Sequence, residues 1–204
     1  MTNIPTLRTL SGLPTAPAPL SRSALVMIDC QNTYREGVMR LAGVEEALAE
    51  AQRMLERARA VGIPVVHIRH AAGTGTPYDV RAPIGQIADA VAPRGDEPVI
   101  TKAYPNSFHQ TELQDVLARH GFAPGASASL VLAGFMTHMC VNSTARGAFS
   151  LGYAPTLVAA ATATRDLPGV AAPALQAASL AALADLFAVV VERAEDIPDH
   201  AREG

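Results

Sequence analysis

Three residues of this 204-residue chain have the right chemistry and the right positions to act together. Asp29 closes the apolar run Ala24–Ile28, Lys102 closes Val99–Thr101, and Cys140 follows Ser129–Ala133 at the start of a helical segment. A thiol at a strand-to-helix junction meets unpaired backbone N–H groups and the positive end of a helix dipole, which favour thiolate. The same N–H groups can hold an oxyanion. By itself Cys140 fits an inert packing thiol equally well. Lys102 beside it would lower its pKa, and Asp29 could take its proton and return it to a leaving group. Asp29 alone would raise the thiol pKa, so the set is coherent only if Lys102 and the helix N-terminus offset that carboxylate.

The elements that must position these residues follow from the apolar pattern. Strands are expected at Ala24–Ile28, Pro64–Arg69, Val99–Lys102, Leu130–Ala133, Pro155–Ala160 and Phe187–Val191. Helices are expected at Val44–Val61, stopped by Gly62, at His109–His120, closed by Gly121, at Cys140–Phe149 and at Ala172–Asp185. The alternation predicts a three-layer αβα Rossmann-like α/β fold with a six-stranded, mainly parallel sheet. Such sheets carry their sites at the carboxyl ends of the strands, where Asp29, Lys102 and Cys140 fall. Residues 1–22, with four prolines, read as an extended arm, 23–192 as the catalytic-type domain and 193–204 as a tail. The irregular stretch Ala71–Pro98 is long enough for a functional loop.

Composition narrows the partners. A net charge of −3 without a Lys/Arg cluster gives no footprint for nucleic acid or an anionic membrane. No apolar run approaches the roughly 20 residues of a membrane span, and no secretory leader pattern stands at the N-terminus. These features point to a cytoplasmic protein that handles a small molecule or pairs with itself. The two cysteines, Cys30 and Cys140, form neither a disulfide framework nor a Cys/His ligand set.

The residues also carry a resemblance. Ala24-Leu-Val-Met-Ile-Asp-Cys-Gln-Asn32, Thr101-Lys-Ala-Tyr-Pro-Asn-Ser-Phe108, Gly134-Phe-Met-Thr-His-Met-Cys-Val141, Thr144-Ala-Arg-Gly-Ala148 and Ala161-Thr-Ala-Thr-Arg-Asp166 occur in order. Over residues 22–191 the chain resembles the isochorismatase-like cysteine hydrolases, which include nicotinamidases, N-carbamoylsarcosine amidases and streptothricin hydrolases. The resemblance implies that Asp29, Lys102 and Cys140 are a catalytic triad. Cys140 would form a thioester, Asp29 would shuttle the proton and Lys102 would stabilise the charges. It also implies a cis peptide at Phe135–Met136, an oxyanion hole of the Met136 and Cys140 N–H groups, and a homo-oligomer.

The departures shape the expected chemistry. Metal-containing nicotinamidases follow the second strand with an Asp-x-His pair and a further His, a pattern His67-Ile-Arg-His70 does not reproduce. At i, i+3 those two histidines would face opposite ways on a strand. No metal or cofactor is therefore expected. Relatives that cleave a vinyl ether lack the nucleophilic cysteine. The expectation is a metal-independent cleavage of a C–N bond in a small amide, with an N-carbamoyl compound or nicotinamide as the alternative and a non-catalytic, redox-responsive thiol as the competing class. Gln176 stands where many relatives have histidine. Gln31, Tyr34, Tyr104, Phe108, Phe135, Thr137 and His138 are the candidate substrate contacts. His138 is two residues from Cys140 and should not face it. Cys30 should point away from Asp29 as a core thiol.

Overall fold

A computed structural model describes residues 4–125 and 128–201. Six strands, β1 (Ser23–Ile28), β2 (Val65–His70), β3 (Val99–Lys102), β4 (Ser129–Phe135), β5 (Ala154–Ala163) and β6 (Val189–Val191), form one sheet in the order β3-β2-β1-β4-β5-β6. Every pairing is parallel. The order reverses between β1 and β4, the switch point at whose carboxyl edge such sheets place their sites.

Alternation along the strands divides the core. Leu25 and Met27 face one side with Val131, Ala133 and Val158. Ala24, Val26 and Ile28 face the other with Leu130 and Leu132. The first side is covered by α2 (Val44–Val61), which buries Val44, Ala47, Leu48, Ala51, Met54, Leu55 and Ala58, a stripe of helical period. Gly62, at φ 78°, ends it by donating to the Ala58 carbonyl. The second side is covered by α3 (Leu113–Arg119), α4 (Asn142–Ser150) and α5 (Ala172–Ala184), which contribute Leu113, Leu117, Ala145, Ala148 and Leu183. Burial on both faces explains the continuous apolar runs.

Several boundaries differ from expectation, each for a local reason. The helix expected from His109 begins at Leu113, because Thr111 donates to the Ser107 carbonyl and accepts from the Leu113 N–H, holding turns where helical bonds would form. β6 begins at Val189, since the Phe187 and Ala188 N–H groups donate to the Leu183 carbonyl and finish α5. β5 runs on to Ala163.

The arm is less extended than its prolines suggest. It contains the short helix α1 (Leu7–Leu10), and the Arg8 guanidinium, buried against the same chain, donates to the carbonyls of Pro14 and Leu186. At the other end, Ala194 and Ile197 are buried in the α2 side of the core, and Arg57 donates to both of their carbonyls. The stretch after β6 is thus anchored to the fold through Ala194 and Ile197. No helix among the described residues is long and apolar enough to cross a membrane.

Candidate active site

The crevice is lined by the last residues of four adjacent strands. Gly134, near the end of β4, makes the close approach possible. Its φ is +123°, and a Cβ built on it would stand 1.9 Å from the Ile28 carbonyl oxygen. Immediately after Ile28, Asp29 adopts φ +49°, a conformation uncommon for a residue with a side chain, while its N–H still donates to the Ile68 carbonyl. β1 therefore stops at Ile28, and the chain turns sideways into the crevice.

The nucleophile segment differs in detail from a plain helix start. The Phe135–Met136 peptide is cis. Thr137–Val141 then forms a wide π turn, and α4 continues from Asn142. Cys140 lies inside that turn and packs against the sheet, 5% exposed. π turns within helices are frequent at functional sites.

Asp29, Lys102 and Cys140 converge. Lys102 Nζ is 2.7 Å from Asp29 Oδ2 and 3.2 Å from Cys140 Sγ. Lys102 is 2% exposed and Asp29 fully buried. No other hydrogen-bond donor among the described residues satisfies the Asp29 oxygens, which leaves lone pairs for the thiol proton. Burial works to lower the Lys102 pKa, but the Asp29 charge, joined by that of Cys140 whenever it is a thiolate, raises it overall, so Lys102 is an ammonium. Cys140 behaves differently from the expectation of a ready thiolate. Burial and then the Asp29 charge push its pKa up to about 12, and Lys102 offsets this only in part. The resting site holds a thiol, a carboxylate and an ammonium.

Lys102 is the one lysine in the sequence; the other 15 basic side chains are arginines. A compact ammonium carries three donors on one atom, which the planar guanidinium does not reproduce at so small a site.

The remaining candidates separate into those near the opening and those behind it. Gln31 is fully buried and ties loops together: its Nε2 donates to the His70 and Gly85 carbonyls and its Oε1 accepts from the His70 N–H. Tyr34 and Phe135 are buried edge-to-face beneath the site, with ring centroids 5.8 Å apart. Phe108 stacks on Tyr153 in the core at 5.5 Å, and Tyr104, 46% exposed, rests its ring against His109. Thr137 is buried with no partner for its hydroxyl. His138 is half-buried, and its Nδ1 lies 2.5 Å from Thr164 Oγ1, so its ring is engaged with the end of β5 rather than with Cys140. Cys30 is a buried core thiol, raised by burial first and by Asp29 second.

Two neighbours were not singled out by sequence, and a third, His70, was weighed there only as a metal ligand. The loop 71–98 folds back through the Gln31–Ile87 bridge and the Ala88 N–H to Cys30 carbonyl bond, and it brings Tyr78 over the crevice. Burial raises the Tyr78 hydroxyl, a hydrogen bond with Tyr34 opposes this, and Asp29 and Arg165 add smaller opposite effects. Arg165, just beyond β5, also lowers His138 after burial has done so. Its Nε is buried without a partner. The third neighbour, His70, closes β2 within 3.5 Å of Lys102 Nζ. The only sequence signal for Arg165 was its place in the run Ala161–Asp166, and nothing local marked Tyr78.

His67 points the other way. It is buried and sits 2.9 Å from Glu97, while His70 turns to the site, as the i, i+3 spacing predicts. Among the described residues no group of three His, Cys, Asp or Glu is placed to hold a metal.

A second set of contacts joins the segment after Lys102 to the helix after Cys140. The Ser107 N–H and Oγ meet Thr144 Oγ1 at 3.0 and 2.9 Å, and Asn106 occupies the space a side chain on Gly147 would need. The segment after Lys102 is thereby latched onto α4, the helix that follows the nucleophile.

A doubly wound parallel sheet brings a buried Asp, Lys and Cys together at its switch point, the architecture of an α/β enzyme with a polar site at the carboxyl edge. The isochorismatase domain model matches residues 23–195, and the chain belongs to the isochorismatase family. It is 35% identical to a secreted isochorismatase effector, Isc1, of Verticillium dahliae, over 90% of this chain and 95% of that one. It is 28% identical to the ureidoacrylate amidohydrolase RutB of Pseudomonas syringae pv. syringae, over 78% of this chain and 80% of that one. The crystal structure of an isochorismatase from Pseudomonas putida KT2440 superposes with a TM-score of 0.88 at 36% identity, covering 95% of this chain and all of that one. The chain is therefore a hydrolase of this family, which has amidohydrolases among its members.

Proposed function

We propose that the protein hydrolyses a carbon–nitrogen bond of a small amide through a thioester on Cys140, without a metal. The observation that carries this reading is the simultaneous contact of one buried ammonium with both a carboxylate and a thiol. With its pKa near 12, Cys140 must lose its proton as it attacks, and Asp29 is the base at hand. The sulfur forms a bond to the carbonyl carbon. The oxyanion is held by the N–H groups of Met136 and Cys140. The C–N bond then breaks as Asp29 returns the proton to the departing amine. Asp29 next takes a proton from water, the hydroxide attacks the thioester, and the carboxylic acid leaves as Cys140 regains its proton. Lys102 stays positive throughout and stabilises whichever neighbour carries the negative charge.

Two further features support the details. An ammonium 3.5 Å from His70 makes that side chain a poor cation ligand, which favours the metal-free reading. The unpartnered Arg165 Nε beside Tyr78 and His138 favours an amide that also bears a carboxylate or a second carbonyl, since either would satisfy that donor. The uncharged, alanine-rich outer face of α5 supports assembly with further copies.

The test is a panel of small amides, carbamoyl compounds, lactams and isochorismate, assayed with the wild type and with Cys140→Ala. Activity on an amide that disappears in the variant, together with an acyl adduct on Cys140 found by mass spectrometry of the quenched reaction, is the expected result. Turnover of isochorismate alone, or amide activity that survives the substitution, would overturn the assignment.

A further inference from the structure

Lys102 has three N–H donors and is 2% exposed, so protein groups must supply most of its partners. Cys140 at 3.2 Å takes one of its directions, and Asp29 Oδ2 lies beside it as an ion pair at 2.7 Å. The remaining near neighbour is His70 Nδ1 at 3.5 Å, the longest of the three contacts. We propose that His70 is a positioning residue: its neutral ring accepts the third N–H of Lys102 and so aims the other two at the carboxylate and the thiol.

The inference deepens the proposed thiol chemistry and rests on it, but its geometric part stands separately. His70 and Lys102 are paired across β2 and β3, and the Ala71 N–H donates to the Lys102 carbonyl, so the two backbones are fixed side by side. Gln31 holds the His70 backbone at both its N–H and its carbonyl. The Tyr78 ring meets the imidazole edge-on, with centroids 4.9 Å apart. Backbone and ring are both held, which is what a positioning group requires. This also gives buried Gln31 a purpose at the site: it holds the residue that holds Lys102.

Accepting at Nδ1 requires that the ring proton be on Nε2. The groups facing the ring agree with a neutral imidazole. Burial and the Lys102 charge lower its pKa, and only Asp29 opposes them. Protonating His70 would convert its acceptor to a donor and set a second cation against Lys102.

Because Lys102 is the one lysine in the chain, labelling the protein with ¹³C,¹⁵N-lysine gives one side-chain ammonium signal to follow. In the wild type that signal should move as pH falls below the ordinary imidazole value of about 6.5. In His70→Asn, whose amide oxygen can take the place of Nδ1, the signal should stay near its wild-type position and lose the titration. In His70→Leu it should shift. Alkylation of Cys140 by iodoacetamide, located by peptide mass, reads the consequence without any substrate. His70→Leu should slow it about tenfold at pH 8, as expected if a misaimed ammonium raises the thiol pKa by one unit, and His70→Asn should restore most of the rate. A lysine signal that ignores pH between 4 and 7 would sink the contact. Equal alkylation rates in the wild type and a folded His70→Leu protein would sink the positioning role. Both outcomes differ from loss of the amidase reading, which Cys140→Ala decides.

Discussion

Gly134 stands so close to Ile28 that any side chain on it would overlap the Ile28 carbonyl oxygen. That contact brings the end of β4 against the end of β1 and sets the spacing between the nucleophile segment and Asp29. Its positive φ adds a second barrier to substitution. Gly134→Ala should cost upwards of about 2 kcal/mol, from strain and backbone displacement together. Chemical denaturation measures the loss, and alkylation of Cys140 in the surviving fold should be altered as well.

Asp29 is expected to act as the base and not merely to orient Lys102. Asp29→Asn removes the charge that, after burial, raises Cys140, so the thiol pKa should fall below about 12. The thiolate ultraviolet absorbance measures this against pH. Hydrolysis should nevertheless drop by about 10³-fold, because the remaining amide cannot shuttle a proton. More thiolate with less turnover is the diagnostic combination. Equal turnover would remove Asp29 from the chemistry.

Lys102→Met should be harmful in two ways. Activity falls with the lost charge, and the fold is left with a buried carboxylate lacking its cation. Breaking such a pair by removing one partner costs roughly 3–5 kcal/mol. Thermal melting at pH 7 would show the loss.

The latch between Thr144 and Ser107 offers a milder perturbation. Thr144→Val removes two hydrogen bonds in a buried place and should destabilise by roughly 1–3 kcal/mol. The segment following Lys102 would loosen from α4. A thermal melt with a smaller fall in kcat than in stability is the expected pattern.

Glu97 predicts the acid behaviour of the fold. Burial tends to raise its pKa, but Arg59, the Arg94 N–H and His67 bring it down to about 2. A carboxylate depressed in the folded state stabilises above its unfolded value of about 4.3, and that contribution disappears as pH falls toward 2. Glu97→Gln should flatten the loss of stability between pH 5 and 2. Its effect at pH 7 should be roughly 2 kcal/mol, read from urea midpoints.

Much of this was legible in the residue pattern. Runs such as Leu25–Ile28 and Leu130–Ala133 are apolar on both faces because helices cover both sides of a parallel sheet, and that alone determined the layers and the edge on which Asp29, Lys102 and Cys140 stand. The spacing of His67 and His70 likewise determined that they would face apart. Other features were decided only by the tertiary structure. Gln31 and Phe108 look like pocket residues by position, yet loop 71–98 and Tyr153 enclose them. Tyr78 and Arg165 reach the crevice from segments with no periodicity to report them. Whether Cys140 rests as thiol or thiolate was also outside the sequence. That balance depends on how deeply the sulfur is buried and on ångström separations among three charges, and a chain pattern encodes faces and ends of elements but not those distances.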